Sequence, residues 1–316
     1  MNRRLSLTAA LLLLFVVAST IFALSLASGS LPLTIAEIVQ SFGAQQPSIA
    51  RDVVLELRLP RALSAFAVGG LLALAGAMLQ VLLRNPLADP YVLGVSGGAS
   101  VLALLAIMAG LPAAGVDGAA ALGAFAACLL VFALAQGPGG WTPTRLLLTG
   151  VVVAAGAGSI VSLLLALSDD TALRGMVFWL LGDLSRTARW EWLLSLLLVA
   201  TVTGALLGRH LNVLARGVTQ AASVGMNVRR FQVLLFMLSS LLTGVAVSAA
   251  GSIGFVGLVT PHIARLALER QAGVADRLQA LARLLAQAAL DQIDDPRWRR
   301  RGQSGEVGCV LENACE

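Results

Sequence analysis

The chain has 316 residues, of which 58% are hydrophobic and 12% are charged. Soluble domains contain about 45–50% apolar and about 25% charged residues, so this composition excludes an ordinary water-soluble domain and indicates a membrane protein. The net charge is +5, and arginine carries all of the fixed positive charge because the chain has no lysine. The arginines stand at the ends of apolar segments rather than on one face with interleaved aromatic residues, which argues against nucleic-acid binding.

Apolar segments recur along the chain, and we predict about eight membrane spans, since a helix needs about 20 residues to cross a hydrocarbon core of about 30 Å. These segments lack the alternation of a β-barrel strand, and backbone groups in lipid must be satisfied internally, so the spans are predicted as helices. The fold class is therefore predicted as all-α, a polytopic α-helical membrane protein. The predicted spans are residues 5–27, 62–83, 91–110, 119–135, 146–167, 192–208, 231–249 and 253–268.

Arginine also predicts the orientation, because cytoplasmic loops carry an excess of basic residues. If the N-terminus is cytoplasmic, the cytoplasmic segments hold most of the arginines, whereas the loops on the other side mix arginine with acidic residues. We therefore predict a multi-pass membrane protein with its N-terminus in the cytoplasm. The first apolar run exceeds the 7–15 residues or so of a signal-peptide core, which favours an anchor over a cleaved signal.

The loop before the second span ends in Arg58-Leu59-Pro60-Arg61. One interpretation is interfacial anchoring, in which arginine side chains reach along the start of a helix and proline occupies its first turn. The other is a positive rim for an acidic partner, because guanidinium groups pair well with carboxylates. Both interpretations remain open from the residues alone.

Small residues recur in the second span, where Gly69, Ala73 and Ala77 are spaced by four and Gly76 lies beside them. Small residues at this spacing let helix backbones approach closely, so we predict helix packing here rather than a pore. Gln80, near the inner end of the span, either bonds a neighbouring helix or faces a cavity.

The polar segment RNPLADPYVLGVSGGAS, residues 84–100, interrupts the apolar sequence between the second and third spans. Pro86 and Pro90 prevent a helix from continuing through it, so we predict a turn that re-enters at Tyr91. Its glycines permit close packing of the next helix start, which is tolerated at membrane depth where backbone lines protein or a water-filled cavity.

Residues 57–100 and several later stretches resemble a known family. Residues 57–100, LRLPRALSAFAVGGLLALAGAMLQVLLRNPLADPYVLGVSGGAS, resemble the signature region of the FecCD family, the membrane permeases of ABC importers for iron-siderophores, haem and cobalamin. Later stretches agree with the family in order and spacing. They are TPTRLLLTGVVVAAG, MVFWLLGDL, LNVLARGVTQAASVGMNV and AAGSIGFVGLVTPHIARL.

The resemblance implies a transport role without chemistry of the chain's own. In the family, two permease copies or two related permeases form the pathway, ABC ATPase subunits bind on the cytoplasmic side, and a periplasmic or lipid-anchored solute-binding protein docks on the other side. ATP and Mg bind to the ATPase partner, and no cofactor or metal is expected on this chain. Transport would proceed by alternating access.

The resemblance also implies roles for particular residues. Arg58 and Arg61 match the arginines that receive acidic residues of the binding protein, and Thr142, Pro143 and Thr144 match the loop at the cytoplasmic gate. The ATPase coupling loop corresponds to the segment that contains Leu214, Gly217, Ala221 and Gly225. Val218 stands where relatives usually have glutamate, so the polar detail of the coupling contact departs from the family.

The sequence divides into a transmembrane permease domain, residues 1–270, and an atypical polar or amphipathic tail, residues 271–316. Family members continue here with two further spans, for ten in all, whereas this tail is rich in charged residues. Two explanations are weighed, a shifted reading frame and a divergent tail that lies on the membrane. A truncated, inactive permease fragment is therefore an alternative function.

A membrane-embedded enzyme is a second alternative, and it would require ionisable groups clustered within the spans. None cluster: His262 follows Pro261 at a helix end, where a structural role is favoured. The cysteines have no metal-like spacing to either histidine, so no metal site is predicted.

Overall fold

A computed structural model describes residues 7–29, 31–43, 48–137, 142–184 and 190–269. Every regular element in these ranges is helical, which confirms the predicted all-α class. The predicted boundary at residue 270 and the tail, residues 271–316, lie outside the described residues. The helices are α1 (Leu7–Ala27), α2 (Ile35–Gly43), α3 (Ile49–Asp52), α4 (Leu59–Leu83), α5 (Val95–Met108), α6 (Ala113–Leu134), α7 (Pro143–Leu167), α8 (Asp170–Leu181), α9 (Trp190–Ala215), α10 (Val218–Ser223), α11 (Val228–Ala250) and α12 (Val256–Glu269).

Two short irregular helices join this set. A π-helical turn, Val53–Arg58, connects α3 to α4, so that helical structure runs without a break over Ile49–Leu83. A 3-10 turn, Pro90–Leu93, precedes α5.

Among the described residues, 5 helical segments are long and apolar enough to cross a membrane, namely Ile49–Leu83, α6, α7, α9 and α11. The other predicted spans coincide with α1, α5 and α12. The third predicted span, residues 91–110, contains a helix of only 14 residues because the 3-10 turn and Gly94 precede it. The last one, residues 253–268, corresponds to α12, which has 14 residues and Pro261 in its interior. By the length and composition of the helices, 5 of the predicted spans are thus able to cross a membrane.

Helix α8 was not predicted as an element. It follows α7 after only Ser168 and Asp169, and its 12 residues are too few to cross a bilayer. Met176 and Trp179 are its buried residues, and Gly175 lies beside Ile107 near the end of α5. The chain therefore folds back along α5 after leaving α7.

Helix α11 lies at the centre of the packing. Phe236 and Val247 belong to an apolar cluster with α5, α6 and α8, whereas Leu235 and Leu242 belong to a second cluster with α4, α9 and α10. In the most apolar window of α11, 56% of residues are buried, against 11% in each of α7 and α9. These two helices consequently present most of their surface to lipid or to other chains.

Candidate functional site

Three segments that connect α-helices, residues 84–94, 182–184 and 251–255, meet between the helices, and we call their meeting place the junction. Each segment begins at a residue with left-handed backbone: Arg84 has φ 49°, Gly182 has φ 77° and Gly251 has φ 76°. Left-handed residues commonly end helices, because they turn the chain while satisfying the last carbonyl groups. The junction thus arises where α4, α8 and α11 each stop.

Asp89 organises the first segment of the junction. Its Oδ1 accepts a hydrogen bond of 2.9 Å from the Tyr91 backbone N–H, which starts the 3-10 turn. The carboxylate also interacts with the backbone N–H of Phe255, in the third segment. Only 8% of Asp89 is exposed. One buried acid therefore contacts two chain segments that are far apart in sequence.

Helix α4 meets the start of α12 backbone to backbone. A Cβ atom placed on Gly76 would lie 1.9 Å from the carbonyl oxygen of Gly257, so only glycine fits at position 76. One turn further along α4, Gln80 Nε2 donates to the carbonyl oxygen of Leu258 at 3.4 Å. Of the two predictions for Gln80, bonding to a neighbouring helix is the one that the structure supports.

The second and third segments also meet through backbone. The Asp183 N–H donates to the carbonyl oxygen of Ala250 at 3.0 Å. A Cβ atom on Gly251 would lie 2.5 Å from the Trp179 carbonyl oxygen. The Ser252 hydroxyl lies 3.3 Å from that of Ser96, in the first turn of α5. The ends of α8 and α11 and the start of α5 are thereby joined.

Helix α7 closes the remaining side of the junction. A Cβ atom on Gly150 would lie 2.8 Å from Leu93 Cα, and one on Gly94 would lie 3.1 Å from Val153 Cγ1. Gly94 also has φ 76°, a conformation that side-chain-bearing residues rarely adopt. The 3-10 turn is consequently held between α4 and α7.

The predicted packing residues of α4 differ in their surroundings. Gly76 makes the contact described above, and Gly70 lies against the Leu197 side chain of α9. A Cβ atom on Gly69 would meet nothing within 4 Å, and Ala73 and Ala77 are partly buried. Packing through Gly69 stays a prediction.

The two predicted docking arginines are placed differently. The Arg58 guanidinium donates to the carbonyl oxygens of Leu26 at 2.8 Å and Ala27 at 3.1 Å, and also to that of Leu31. Arg58 thereby satisfies carbonyl groups at the end of α1. Arg61 is exposed in the first turn of α4. A docking role for either residue remains a prediction.

The predicted gate residues form the start of α7. Thr142 is the N-cap, and its Oγ1 accepts a hydrogen bond of 3.3 Å from the Arg145 N–H. Pro143 occupies the first position of the helix, and Thr144 is exposed beside it. This is a regular helix start, and its role as a gate stays a prediction.

The predicted coupling residues lie on a compact turn that contains α10. Leu214 and Ala221 are 1% and 0% exposed and belong to the apolar cluster of α4, α9 and α11. Gly217 and Gly225 flank α10 with φ 133° and φ 82°, so both bends use backbone conformations that favour glycine. The four residues therefore fix the turn, whereas the opposite side of α10 is exposed.

The sequence did not reveal that Asp89, Gly182 and Gly251 belong together. Its only signals were a Gly-Asp pair after an apolar run and a glycine-rich stretch before Phe255. Within the part of the chain that the structure describes, no group of three or more His, Cys, Asp or Glu residues could hold a metal ion.

Comparison with known proteins places these features in context. The sequence profile of the FecCD transport family matches residues 12–275. The uncharacterized ABC transporter permease protein YvrB of Bacillus subtilis is 40% identical over 237 residues, which cover 72% of this chain and 66% of YvrB. The vitamin B12 import system permease protein BtuC of Vibrio cholerae is 39% identical over 251 residues, which cover 78% of this chain and 75% of BtuC. The chain thus spans about two thirds to three quarters of these relatives.

A solved structure has the same fold. It is described as an inward-facing conformation of a metal-chelate type ABC transporter. The TM-score is 0.70 at 31% identity, and the match covers 83% of each chain.

Proposed function

Because the chain belongs to the FecCD transport family, we propose that it is the permease subunit of an ABC importer that carries a metal chelate across the membrane. The observation that carries this proposal is the junction. Transporters commonly form their central site where helices break inside the bundle, because rigid helical units can move about such breaks. Here α4, α8 and α11 end at the junction, and α5 and α12 begin at it.

The proposed mechanism is alternating access. Rigid-body rocking of helices needs contacts that hold units together and breaks about which they turn. The Gly76–Gly257 contact and the Asp89 interaction with Phe255 would make the start of α12 move with α4. The left-handed residues at the helix ends would supply the breaks. No bond of the substrate is made or broken, so the chain itself is not an enzyme in this proposal.

The energy source would be an ABC ATPase partner that binds ATP and Mg. Its contact would be α10, whose exposed Thr219, Gln220 and Ala222 lie opposite the buried Ala221. A short helix seated in a groove transmits motion without a large interface. Gly217 and Gly225 would keep α10 projecting from the bundle.

We propose an iron-siderophore or a related metal chelate as the substrate. The relative BtuC is named for vitamin B12, which is itself a chelate of cobalt, and the solved structure is described as metal-chelate type. Large chelates need a pathway with small or apolar walls. The exposed surface of α7 includes Gly156, Gly158 and Ser159, which would leave room for such a molecule.

The remaining partners follow from the same proposal. A solute-binding protein would dock beside Arg61, and a second permease copy or a related permease would complete the pathway. The chain would lie in the bacterial inner membrane with its N-terminus in the cytoplasm, the side on which arginines of α9 and α11 accumulate.

The deciding experiment measures uptake into proteoliposomes that contain the full chain and the ATPase with which it co-purifies. Radiolabelled ferric siderophore and radiolabelled cobalamin serve as alternative substrates, each supplied outside the vesicle together with its binding protein, while ATP and Mg are enclosed inside. ATP-dependent uptake of either supports an importer, and the preferred label identifies the chelate class. Co-purification of an ATPase without uptake of any chelate would contradict transport competence and favour the inactive fragment.

A further inference from the structure

A cavity of about 650 Å³ lies where α9 ends and α11 begins, beside the turn that contains α10. Arg209 and His210 line it from α9, Arg230 and Phe231 line it from α11, and residues 224–227 complete the wall. The cavity lies apart from the junction, and the function proposed above assigns no role to its two arginines.

The polar part of the cavity is positively charged. Arg209 and Arg230 both line it, and no acidic side chain does so among the described residues. Neither guanidinium forms a hydrogen bond or an ion pair with any residue that the structure describes. Two guanidinium groups that line one cavity favour a phosphate or carboxylate ligand in it.

The start of α11 adds to this preference. Asn227 caps the helix, and its Oδ1 accepts a hydrogen bond of 3.1 Å from the Arg230 N–H. The helix is 23 residues long, so its N-terminal end carries a partial positive charge. Asn227 itself lines the cavity. The partial positive charge at the start of α11 therefore adds to the attraction of the arginine side chains for an anion.

The rest of the wall is apolar. Val213 and Phe231 line the cavity, and so does Leu234, which is 43% exposed. The apolar surface continues beyond the cavity along both helices, with Leu206 75% exposed on α9 and Leu241 56% exposed on α11. A small soluble anion gains nothing from such a surface, whereas an acyl chain does.

We propose that this cavity binds an anionic phospholipid, with the headgroup phosphate between Arg209 and Arg230 and the acyl chains along the exposed leucines of α9 and α11. Basic pockets between membrane helices on the cytoplasmic side are suited to such headgroups. The site goes beyond the transport function, because the lipid would be a bound structural ligand rather than a substrate. Gly225 and Met226 also line the cavity, so the lipid would contact the end of the coupling turn.

The test is native mass spectrometry of the full chain released from nanodiscs of mixed phosphatidylglycerol and phosphatidylcholine. We expect phosphatidylglycerol to remain bound in preference to phosphatidylcholine. Arg209→Gln and Arg230→Gln should each weaken that binding about fivefold, since a basic residue at a lipid surface contributes about 1 kcal/mol. Arg229→Gln is the matched control, because Arg229 is adjacent and exposed but does not line the cavity. It should leave binding unchanged.

Four results would overturn the proposal. Equal retention of both lipids and an equal loss for Arg229→Gln and Arg230→Gln are two of them. Displacement of phosphatidylglycerol by sodium phosphate would indicate a soluble anion, and cavity variants that keep the lipid but no longer recover an ATPase partner would indicate a protein contact. Arg209→Lys with Arg230→Lys preserves the charge and should retain the lipid, which separates loss of charge from misfolding.

Discussion

At the scale of single residues, Gly76 makes the closest approach to backbone among the described glycines. An added Cβ atom would lie 1.9 Å from the Gly257 carbonyl oxygen, and both partners are backbone, so no side chain can rotate away. We expect Gly76→Ala to reduce the free energy of unfolding by about 1–3 kcal/mol, as overpacking typically does. Thermal unfolding of the purified chain in detergent, followed by size-exclusion chromatography, measures the effect.

The control for this prediction lies two turns earlier on the same helix. A Cβ atom on Gly69 would meet nothing within 4 Å, so Gly69→Ala should be neutral or stabilising by up to about 1 kcal/mol from helix propensity. Equal thermal stability of the two variants would show that the backbone contact at Gly76 does not form.

At the residue level, the sequence predicted contacts that follow from the spacing of residues within one helix. It did not predict contacts between segments that are distant in the chain. The small residues of α4 indicate close packing, and Gly76 provides it. The interaction of Asp89 with Phe255 joins positions in different parts of the chain, and no local pattern connects them. Arg58 fits the prediction of a helix-end arginine, but its binding to α1 carbonyls requires three-dimensional information.

At the scale of elements, α2 is held by a reciprocal cap between Thr34 and Glu37. The Glu37 carboxylate accepts from the Thr34 N–H at 2.7 Å, and the Thr34 hydroxyl accepts from the Glu37 N–H at 3.3 Å. Two hydrogen bonds lower the pKa of the Glu37 carboxyl below its ordinary value of 4.5: the one from the Thr34 backbone N–H has the larger effect, and the one from the Thr34 hydroxyl adds to it. A lowered pKa stabilises the fold above that ordinary value, and the stabilisation is lost as pH falls through the lowered pKa.

We therefore expect hydrogen exchange in α2 to differ between the native chain and Glu37→Gln at neutral pH. The native chain should be the better protected, and the difference should shrink as the pH falls below 4.5. The ratio of protection factors in the two proteins removes the intrinsic pH dependence of exchange. Amides of α10 serve as an internal control, and a ratio that is constant across pH would contradict the prediction.

The two sides of α10 should respond differently to the same substitution. Ala221 is 0% exposed, so Ala221→Trp should overpack the cluster and lower the free energy of unfolding by about 1–3 kcal/mol. Ala222 is exposed, so Ala222→Trp should leave stability within about 0.5 kcal/mol of the native value while weakening recovery of the ATPase partner. Thermal unfolding and affinity co-purification measure the two effects.

The comparison tests whether α10 is a docking element. If Ala222→Trp recovers as much ATPase as the native chain, the exposed face of α10 does not make the contact. Thr219→Ala, which changes the same face without adding bulk, should preserve both stability and recovery.

Element prediction was accurate for long apolar runs and failed for segments in which charge interrupts them. The spans that became α6, α7, α9 and α11 were each predicted as helices. Helix α8 was missed because Asp170 and Arg174 make its sequence resemble a loop, although its buried side chains pack against other helices. The start of α5 was predicted too early, since Pro90–Leu93, capped by Asp89 and Gly94, form a 3-10 turn instead of an α-helix.

At the scale of the whole molecule, the poorly buried helices α7 and α9 expose different surfaces. Helix α9 exposes large apolar residues such as Leu198, Val202 and Leu206, which suit lipid. Helix α7 also exposes large apolar residues such as Val152 and Leu163, but its middle turns expose the small residues Gly156 and Ser159, which would border the proposed pathway between two permease copies. We expect α7 rather than α9 to face the second permease copy.

Cysteine cross-linking in membranes checks this expectation. Ser159→Cys on α7 and Thr201→Cys on α9 are matched, because both residues are exposed and both hydroxyls bond to their own helix. The native Cys128, Cys309 and Cys315 are first replaced. A bifunctional thiol reagent should yield a covalent dimer with Ser159→Cys only. Dimers through Thr201→Cys alone would place the partner on α9.

The position of Arg58 also has a consequence for synthesis. Its guanidinium closes the end of α1 from a point 32 residues beyond Leu26. All the groups involved are synthesised before any residue of α5, and a contact between near neighbours in sequence forms without waiting for distant segments. The N-terminal part of the chain can thus be fixed in place while most of the protein is still untranslated.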